Sequence, residues 1–363
     1  MPAAPAEKLA EELAEEQPAE SPPAERPPAE RPLVVFNFGA DFITIKTVAT
    51  SPDGYLFLAG GFGRIVEIFG SSRGWRHPIT FPDTDYTLSV AFGRHGDLYA
   101  ATPLSLMHVA PSLAQETVQA FPYSQWMPFS DQGPVLEADF HFPSDGGAPL
   151  VVLSRNAVTS VYNLRTNAHV CDVPNEFEAT CATKISRDGR HFAVLGWDER
   201  LSTRDVFEVI VWLSVFTLGH TPEACRHLGT HFIHECEIPD EVIYGSLAWS
   251  HATDDASEVI GVEVEANLYV IRRSDGAVMH SNVDDNIMAV DFEPSGALLF
   301  AEALSATSQR VVRRRFSAED GAPQLQTLFH FVGPKQVTQL VVSADGKSVI
   351  VVCGSTVEVH GLS

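Results

Sequence analysis

The stretch that decides the fold is IKTVATSPDGYLFLAGGFGRIVEIF, residues 45–69. It contains three short apolar runs, rich in β-branched and aromatic residues, separated by an SPDG turn and a glycine-rich turn. Apolar runs of this length between glycine turns are typical of β-strands joined as hairpins. The segment therefore predicts three antiparallel strands of one sheet.

Related turns recur along the chain. The turn glycines are Gly54, Gly96, Gly146, Gly189, Gly296 and Gly346, spaced by 42, 50, 43, 107 and 50 residues. The longest spacing is about two periods, and a degenerate fifth unit fits inside it as VIYGSLAWS, EVIGVEV and NLYVIRR. A period of about 40–50 residues is that of one four-stranded propeller blade, because sheets stacked around an axis bury both faces. The repeats therefore predict an all-β fold with seven blades.

The two ends of the repeat region complement each other. The last unit supplies only three strands, VTQLVVSADG, KSVIVVCG and STVEVHG, and a lone strand, LVVFNF at residues 33–38, precedes the first unit. Sheet edges are a liability that ring closure removes. We expect LVVFNF to complete the last blade beside TVEVHG.

The units resemble WD40 repeats, and the likeness covers residues 33–363. The best match is SPDG–YLFLAGG–GRIVEIF, since WD40 repeats carry such a turn between their first two strands. The one Gly-His pair, Gly219-His220, lies in the insertion of blade four, and no third strand ends in Trp-Asp; blade four comes nearest, with Trp212 in EVIVWLS. The resemblance implies a closed seven-bladed propeller that binds other proteins. Without the usual hydrogen-bonded tetrad, we expect its blades to depend on apolar packing.

Residues 1–32 differ from the rest. They contain EKLAEELAEEQ and the repeat PPAERPPAER, and prolines at this density exclude a helix. We expect a disordered Pro/Ala/Glu-rich tail over 1–32 and a propeller over 33–363. The tail either has no function or docks a partner.

Net charge and cysteine content indicate which partners and which cellular locations to expect. The formal net charge is −23, which disfavours nucleic acid as a partner and is compatible with basic proteins or peptides. No apolar run is long enough to span a bilayer. Five scattered cysteines predict reduced thiols and a cytoplasmic protein, with the nucleus or a large assembly as alternative locations.

Three groups of residues are candidate interaction or ligand sites. The loop FPYSQWMPFSDQGP offers Trp126, Met127 and Phe129, which either bind a partner or cover a gap between blades. The third strands of blades five and six carry arginines that either form a basic docking patch or pair with nearby carboxylates. These arginines are Arg272, Arg273, Arg310, Arg313, Arg314 and Arg315.

The segment 220–236, HTPEACRHLGTHFIHEC, has the residue types that bind zinc but not the spacing of a known zinc motif. Its weak candidate ligands are His227, His231, His234 and Cys236. We expect a surface loop inserted between the third and fourth strands of blade four, without a metal.

No catalytic set can be assigned from the residues. Gly70–Gly74 matches G-x-S-x-G, but it leads from one predicted strand to another, whereas the nucleophile elbow needs a helix after the serine. We expect a non-enzymatic protein–protein interaction scaffold without a cofactor, acting as part of a complex. The alternatives are a structural subunit of a large assembly and an enzymatic propeller, such as a metal-dependent hydrolase, with carboxylates or histidines converging on the channel.

Overall fold

The computed structural model describes most of the chain after residue 31. The described ranges are 32–37, 45–53, 56–61, 65–70, 76–80, 86–94, 96–109, 118–122, 133–201, 207–237, 245–251, 258–282, 286–316, 324–333 and 336–362. The predicted tail, except for residue 32, and the loop carrying Trp126, Met127 and Phe129 lie outside them.

The chain is a seven-bladed β-propeller, as the repeats predict. Each blade is a four-stranded antiparallel sheet whose strands are paired in chain order, apart from the blade that joins the two ends. Blade 1 contains β2 (Ile45–Thr50), β3 (Leu56–Gly61), β4 (Ile65–Gly70) and β5 (Arg76–Thr80). Blade 2 contains β6 (Ser89–Phe92), β7 (Leu98–Ala101), β8 (Ser105–Val109) and β9 (Val118–Pro122). Blade 3 contains β10 (Glu137–His141), β11 (Leu150–Ser154), β12 (Val158–Asn163) and β13 (Ala168–Pro174).

The second half follows the same plan. Blade 4 contains β14 (Ala179–Ile185), β15 (His191–Leu201), β16 (Phe207–Thr217) and β17 (His227–Glu237). Blade 5, the degenerate unit, contains β18 (Gly245–Trp249), β19 (Val259–Val264), β20 (Asn267–Arg272) and β21 (Val278–Asn282). Blade 6 contains β22 (Ile287–Phe292), β23 (Leu298–Ser305), β24 (Ser308–Arg315) and β25 (Gln324–Val332). Blade 7 contains β26 (Val337–Val342), β27 (Ser348–Cys353), β28 (Thr356–Gly361) and the N-terminal β1 (Val34–Asn37).

The same two hydrogen bonds of a serine side chain stabilise the recurring turn in blades 4 and 7. In blade 4, Ser186 Oγ donates to Asp188 Oδ1 at 2.7 Å and accepts the backbone N–H of His191 at 2.9 Å. Ser343 repeats both bonds in blade 7, with Asp345 and with the N–H of Ser348. The turn glycine, Gly189 in blade 4, has a φ of 70°, which glycine adopts most readily.

The closing strand lies where the sequence predicts it. β1 pairs antiparallel with β28, in a register that places Val34 opposite Val359 and Phe36 opposite Val357. Phe36 is buried, and its ring lies 4.3 Å from the ring of Phe69 in blade 1. The N-terminal strand therefore fastens the last blade and also packs against the first.

Apolar packing holds the blades together. The described buried residues form seven hydrophobic clusters, and each cluster joins two neighbouring blades. This arrangement confirms that the stacked sheets bury their faces against each other.

Polar links that the sequence did not reveal supplement this packing. Asp139 on β10 accepts the N–H of Ile185 on β14 at 2.7 Å, and Asp291 on β22 accepts the N–H of Val342 on β26 at 2.7 Å. Each carboxylate thus connects the innermost strands of two consecutive blades. Hydrogen bonds to a charged group are stronger than hydrogen bonds between neutral groups.

Blade 4 corrects one expectation. The predicted loop around 220–236 is mostly the outermost strand β17, and only residues 218–226 connect it to β16. The alternation in HLGTHFIHECE suits an edge strand, because side chains of successive residues point to opposite faces. A 3-10 turn, Pro222–Ala224, lies in the connection. The described residues include no helix long and apolar enough to cross a membrane.

Candidate functional site

The long strands of blade 4 project beyond its innermost strand. β14 pairs with β15 only as far as Trp197, whereas β15 continues beside β16 to Leu201. The projecting ends lie on the face where one blade connects to the next. The connection from blade 3, residues 175–178, runs alongside them.

This projection and the connection form a surface that we call the acidic seam. It consists of Glu176 and Glu178 in the connection and of Asp198, Glu208 and Glu235 on blade 4, with Trp212 and Phe232 on the same face of that blade. The backbone N–H of Glu178 donates to Asp198 Oδ1 at 2.7 Å, which joins the connection to blade 4. Glu176 Oε2 accepts the hydroxyl of Thr230 on the outermost strand at 3.0 Å.

The seam carries a large excess of negative charge. Among the described residues, the five carboxyl groups of the seam have one cationic partner, Arg200, which contacts Glu208 and Glu235. Burial raises the pKa of Asp198, and the nearby carboxylate of Glu178 raises it further. A cation placed here would relieve this repulsion, because like charges at short range destabilise one another.

Two aromatic side chains complete the surface. The rings of Trp212 and Phe232 meet edge to face at 5.9 Å, and Phe232 is 51% exposed. An exposed aromatic face next to carboxylates suits lysine and arginine, since both bind anions and also stack on aromatic rings.

A disulfide also joins blades 3 and 4, through the β16–β17 connection on the face opposite the acidic seam. Cys171 on β13 and Cys225 in the β16–β17 connection are bonded, 54 residues apart in the chain. The expectation of five reduced thiols is therefore wrong for these two, because the fold brings distant segments together at the blade boundary. Cys181, Cys236 and Cys353 are free. The expectation of a cytoplasmic location loses the support that reduced thiols gave it.

The arginines predicted from blades five and six do lie on the third strands, but they do not form one exposed patch. Arg273 pairs with Glu258 at 2.6 Å and Arg313 with Glu293 at 2.6 Å, and both arginine side chains are buried. Arg314, also buried, contacts His280. Arg272 pairs with Asp275 and Arg310 with Glu302, whereas Arg315 is exposed. Docking of a partner stays a prediction for these last three arginines, Arg272, Arg310 and Arg315.

The histidines and Cys236 of the outermost strand of blade 4 take separate roles. His227 Nε2 lies 2.9 Å from Thr230 Oγ1, and His234 Nδ1 lies 2.8 Å from the hydroxyl of Tyr269 in blade 5. His231 lies against Gly276 of blade 5. None of these belongs to a described group of three or more side chains that could share a metal ion.

One described group has metal-ligand chemistry, namely Asp188, His191 and Glu258. Its Glu258 already binds Arg273 Nε at 2.6 Å, and Arg190 contacts Asp188. Burial and the Asp188 charge raise the pKa of Glu258 to about 7, although Arg273 opposes the shift. Two resident guanidinium groups make this cluster an ion-pair network between blades 4 and 5 rather than a receptive metal site.

The innermost strands bear on the enzymatic alternative. Their described carboxylates are Glu137, Asp139 and Asp291, and each forms an ion pair with a lysine or arginine at 3.1–3.2 Å. A carboxylate that acts as a general base or metal ligand needs a free lone pair facing its substrate or ion. The described channel wall offers none that lacks a cationic partner.

A buried carboxyl on β19 makes stability depend on pH. Glu263 is 8% exposed, and burial raises its pKa to about 8 although Ser246 Oγ donates to it at 3.1 Å. A raised pKa of this kind contributes stability below the unfolded value of about 4.5, and the contribution is lost as pH rises towards 8.

Glu263→Gln is expected to gain stability relative to the wild type by roughly 3 kcal/mol between pH 4.5 and pH 7, because glutamine cannot ionise. Urea unfolding from pH 4.5 to 8.5 should show the variant and the wild type converging at the acidic end. The exposed Glu223→Gln serves as the control and should follow the wild type. A constant difference across the range would contradict the assigned titration.

Comparisons with known proteins leave the family open. No protein-family model matches the chain, and no curated protein matches its sequence.

Proposed function

We propose that this propeller is a non-enzymatic interaction scaffold and that its acidic seam holds a lysine- and arginine-rich segment of a partner protein. The observation that carries the proposal is the seam itself, five carboxyl groups with one described cation beside an exposed phenylalanine. The pairing of every described carboxylate on the innermost strands supports a binding role over a catalytic one.

The proposal extends to the repeats. We infer that the blades are divergent WD40 repeats, because the Ser-x-Asp-Gly turn stands between the first and second strands of blades 4 and 7. The aspartates linking innermost strands would then compensate for the missing tetrad. Propellers host many functions, so the binding role rests on the seam and not on the fold.

Capture from native cells with a tagged full-length chain tests the scaffold. The seam variant Glu176→Lys/Glu178→Lys/Glu235→Lys reverses three exposed charges. The control Asp172→Lys/Glu223→Lys/Asp275→Lys makes the same change in net charge on exposed residues elsewhere.

We expect a stoichiometric partner that elutes with rising salt and that the seam variant captures at least ten-fold less well than the control. Charge pairs at a binding surface weaken with ionic strength, and reversal adds repulsion. Recovery of the chain alone, or equal capture by both variants, would refute the proposal.

A further inference from the structure

A second cleft lies between blades 2 and 3, on the face opposite the acidic seam. It has a volume of about 210 Å³. The strand connections that form it are the first-to-second turns of both blades and the third-to-fourth turn of blade 3. Its lining residues are Arg94, Asp97, Tyr99, Phe142, Pro143, Gly146, Gly147, Pro149 and Arg165.

The cleft has an aromatic wall. The rings of Tyr99 and Phe142 lie 5.2 Å apart, and His108 stacks on the other side of Tyr99 at 4.7 Å. Two prolines line the cleft with them. Tyr99 and Phe142, which contact each other, therefore give the cleft an apolar aromatic wall.

Two arginines converge at the corner of the cleft. Arg165 Nη2 donates to the carbonyl oxygens of Gly146 and Gly147, each at 3.0 Å. Arg94 lies over the same turn, since a Cβ on Gly146 would stand 2.7 Å from Arg94 Nη1. Both arginines are exposed, and they come from different blades.

Unlike most other described arginines, Arg94 and Arg165 form no ion pair with a described carboxylate. Seven described arginines form ion pairs with carboxylates, namely Arg187, Arg190, Arg200, Arg272, Arg273, Arg310 and Arg313. Among the described residues, no carboxylate lies within ion-pair distance of Arg94 or Arg165. Two unneutralised guanidinium groups in one cleft of a chain with net charge −23 point to an anionic ligand.

The groups around the two arginines also bear on the nature of that ligand. Burial acts to raise the pKa of Asp97, but hydrogen bonds from His108 and Tyr99 outweigh it and keep the carboxyl ionised. Asp145 Oδ1 accepts the N–H of Gly147 at 2.8 Å, so a second carboxylate stands near the rim. Two carboxylates thus stand near the two guanidinium groups, and a phosphate suits the site through its three acceptor oxygens, which match paired guanidinium donors.

We propose that this cleft binds a phosphorylated tyrosine side chain of a partner protein. The two guanidinium groups would hold the phosphate, and Tyr99 and Phe142 would pack on the ring. A cleft of about 210 Å³ suits a single side chain and not a folded peptide. Polyanions such as nucleic acids are repelled by the rest of the chain.

Calorimetric titration of the full chain with N-acetyl-phosphotyrosine amide tests this site. Arg94→Gln is the test variant, since Arg94 makes no described hydrogen bond that the fold needs. Arg315→Gln is the matched control, because it removes an exposed arginine outside the cleft.

We expect saturable binding that Arg94→Gln weakens at least ten-fold and Arg315→Gln changes less than two-fold, with both variants melting like the wild type. N-acetyl-tyrosine amide, inorganic phosphate and N-acetyl-phosphoserine amide should each bind at least ten-fold more weakly. Absence of binding, equal binding of inorganic phosphate or phosphoserine, or indifference to Arg94→Gln would overturn the proposal. Because the acidic seam lies on the other face, its capture result stands or falls separately.

Discussion

Deletion of residues 33–37 is expected to lower the melting temperature by on the order of 10 °C. The deletion removes the whole ladder between β1 and β28 and takes Phe36 away from Phe69. Loss of a buried phenylalanine alone costs about 3–5 kcal/mol, and the unpaired edge of β28 adds to that cost. Thermal unfolding followed by circular dichroism measures the change.

Two point variants test whether the packing of β1, rather than the shortening of the chain, accounts for the loss of stability. Phe36→Ala removes a side chain that is 5% exposed, whereas Val35→Ala removes one that is 46% exposed on the other face of the same strand. We expect a loss of about 3 kcal/mol or more for the first and less than about 1 kcal/mol for the second. Equal effects, or a deletion that melts like the wild type, would show that β1 does not close the ring.

Reduction of the Cys171–Cys225 bond is expected to destabilise the fold by about 4 kcal/mol. The cystine closes a loop of 54 residues, and a loop of that length restricts the unfolded chain by about this amount. It also holds the β16–β17 connection against the outermost strand of blade 3. Denaturant unfolding with and without a phosphine reductant measures the loss.

The double variant Cys171→Ser/Cys225→Ser supplies the control for the reductant. It should unfold like the reduced wild type and show no further response, because the other described cysteines are free. A wild type that ignores the reductant, with thiol counting that finds five free groups, would contradict the bond.

The blade architecture could be read from the sequence because it depends on local chemistry. The Ser-x-Asp-Gly turns bond within a few residues of themselves, and LVVFNF is an apolar strand with no partner of its own. The strand β17 was missed because histidines and cysteines masked its alternation. Its identity depends on pairing with β16, which is a tertiary contact.

The acidic seam could not be read in the same way. It contains residues between 176 and 235. They lie close together because the connection from blade 3 makes tertiary contacts with the strands of blade 4. One local signal was available in NEFEA at 175–179, where Phe177 is buried between two exposed glutamates. The run of arginines misled for the opposite reason, since Arg313 and Arg314 are buried by neighbours far away in the sequence.

A photo-crosslinker placed at residue 232 tests the central claim, that the seam between blades 3 and 4 is where a basic partner docks. p-Benzoylphenylalanine replaces Phe232 in the full chain, and the same residue replaces Leu325, which is 61% exposed on the outermost strand of blade 6, as the control. After irradiation in native extract, we predict one major adduct at position 232, joined to a lysine- and arginine-rich segment and absent at position 325. No adduct at 232, or the same adducts at both positions, would contradict it.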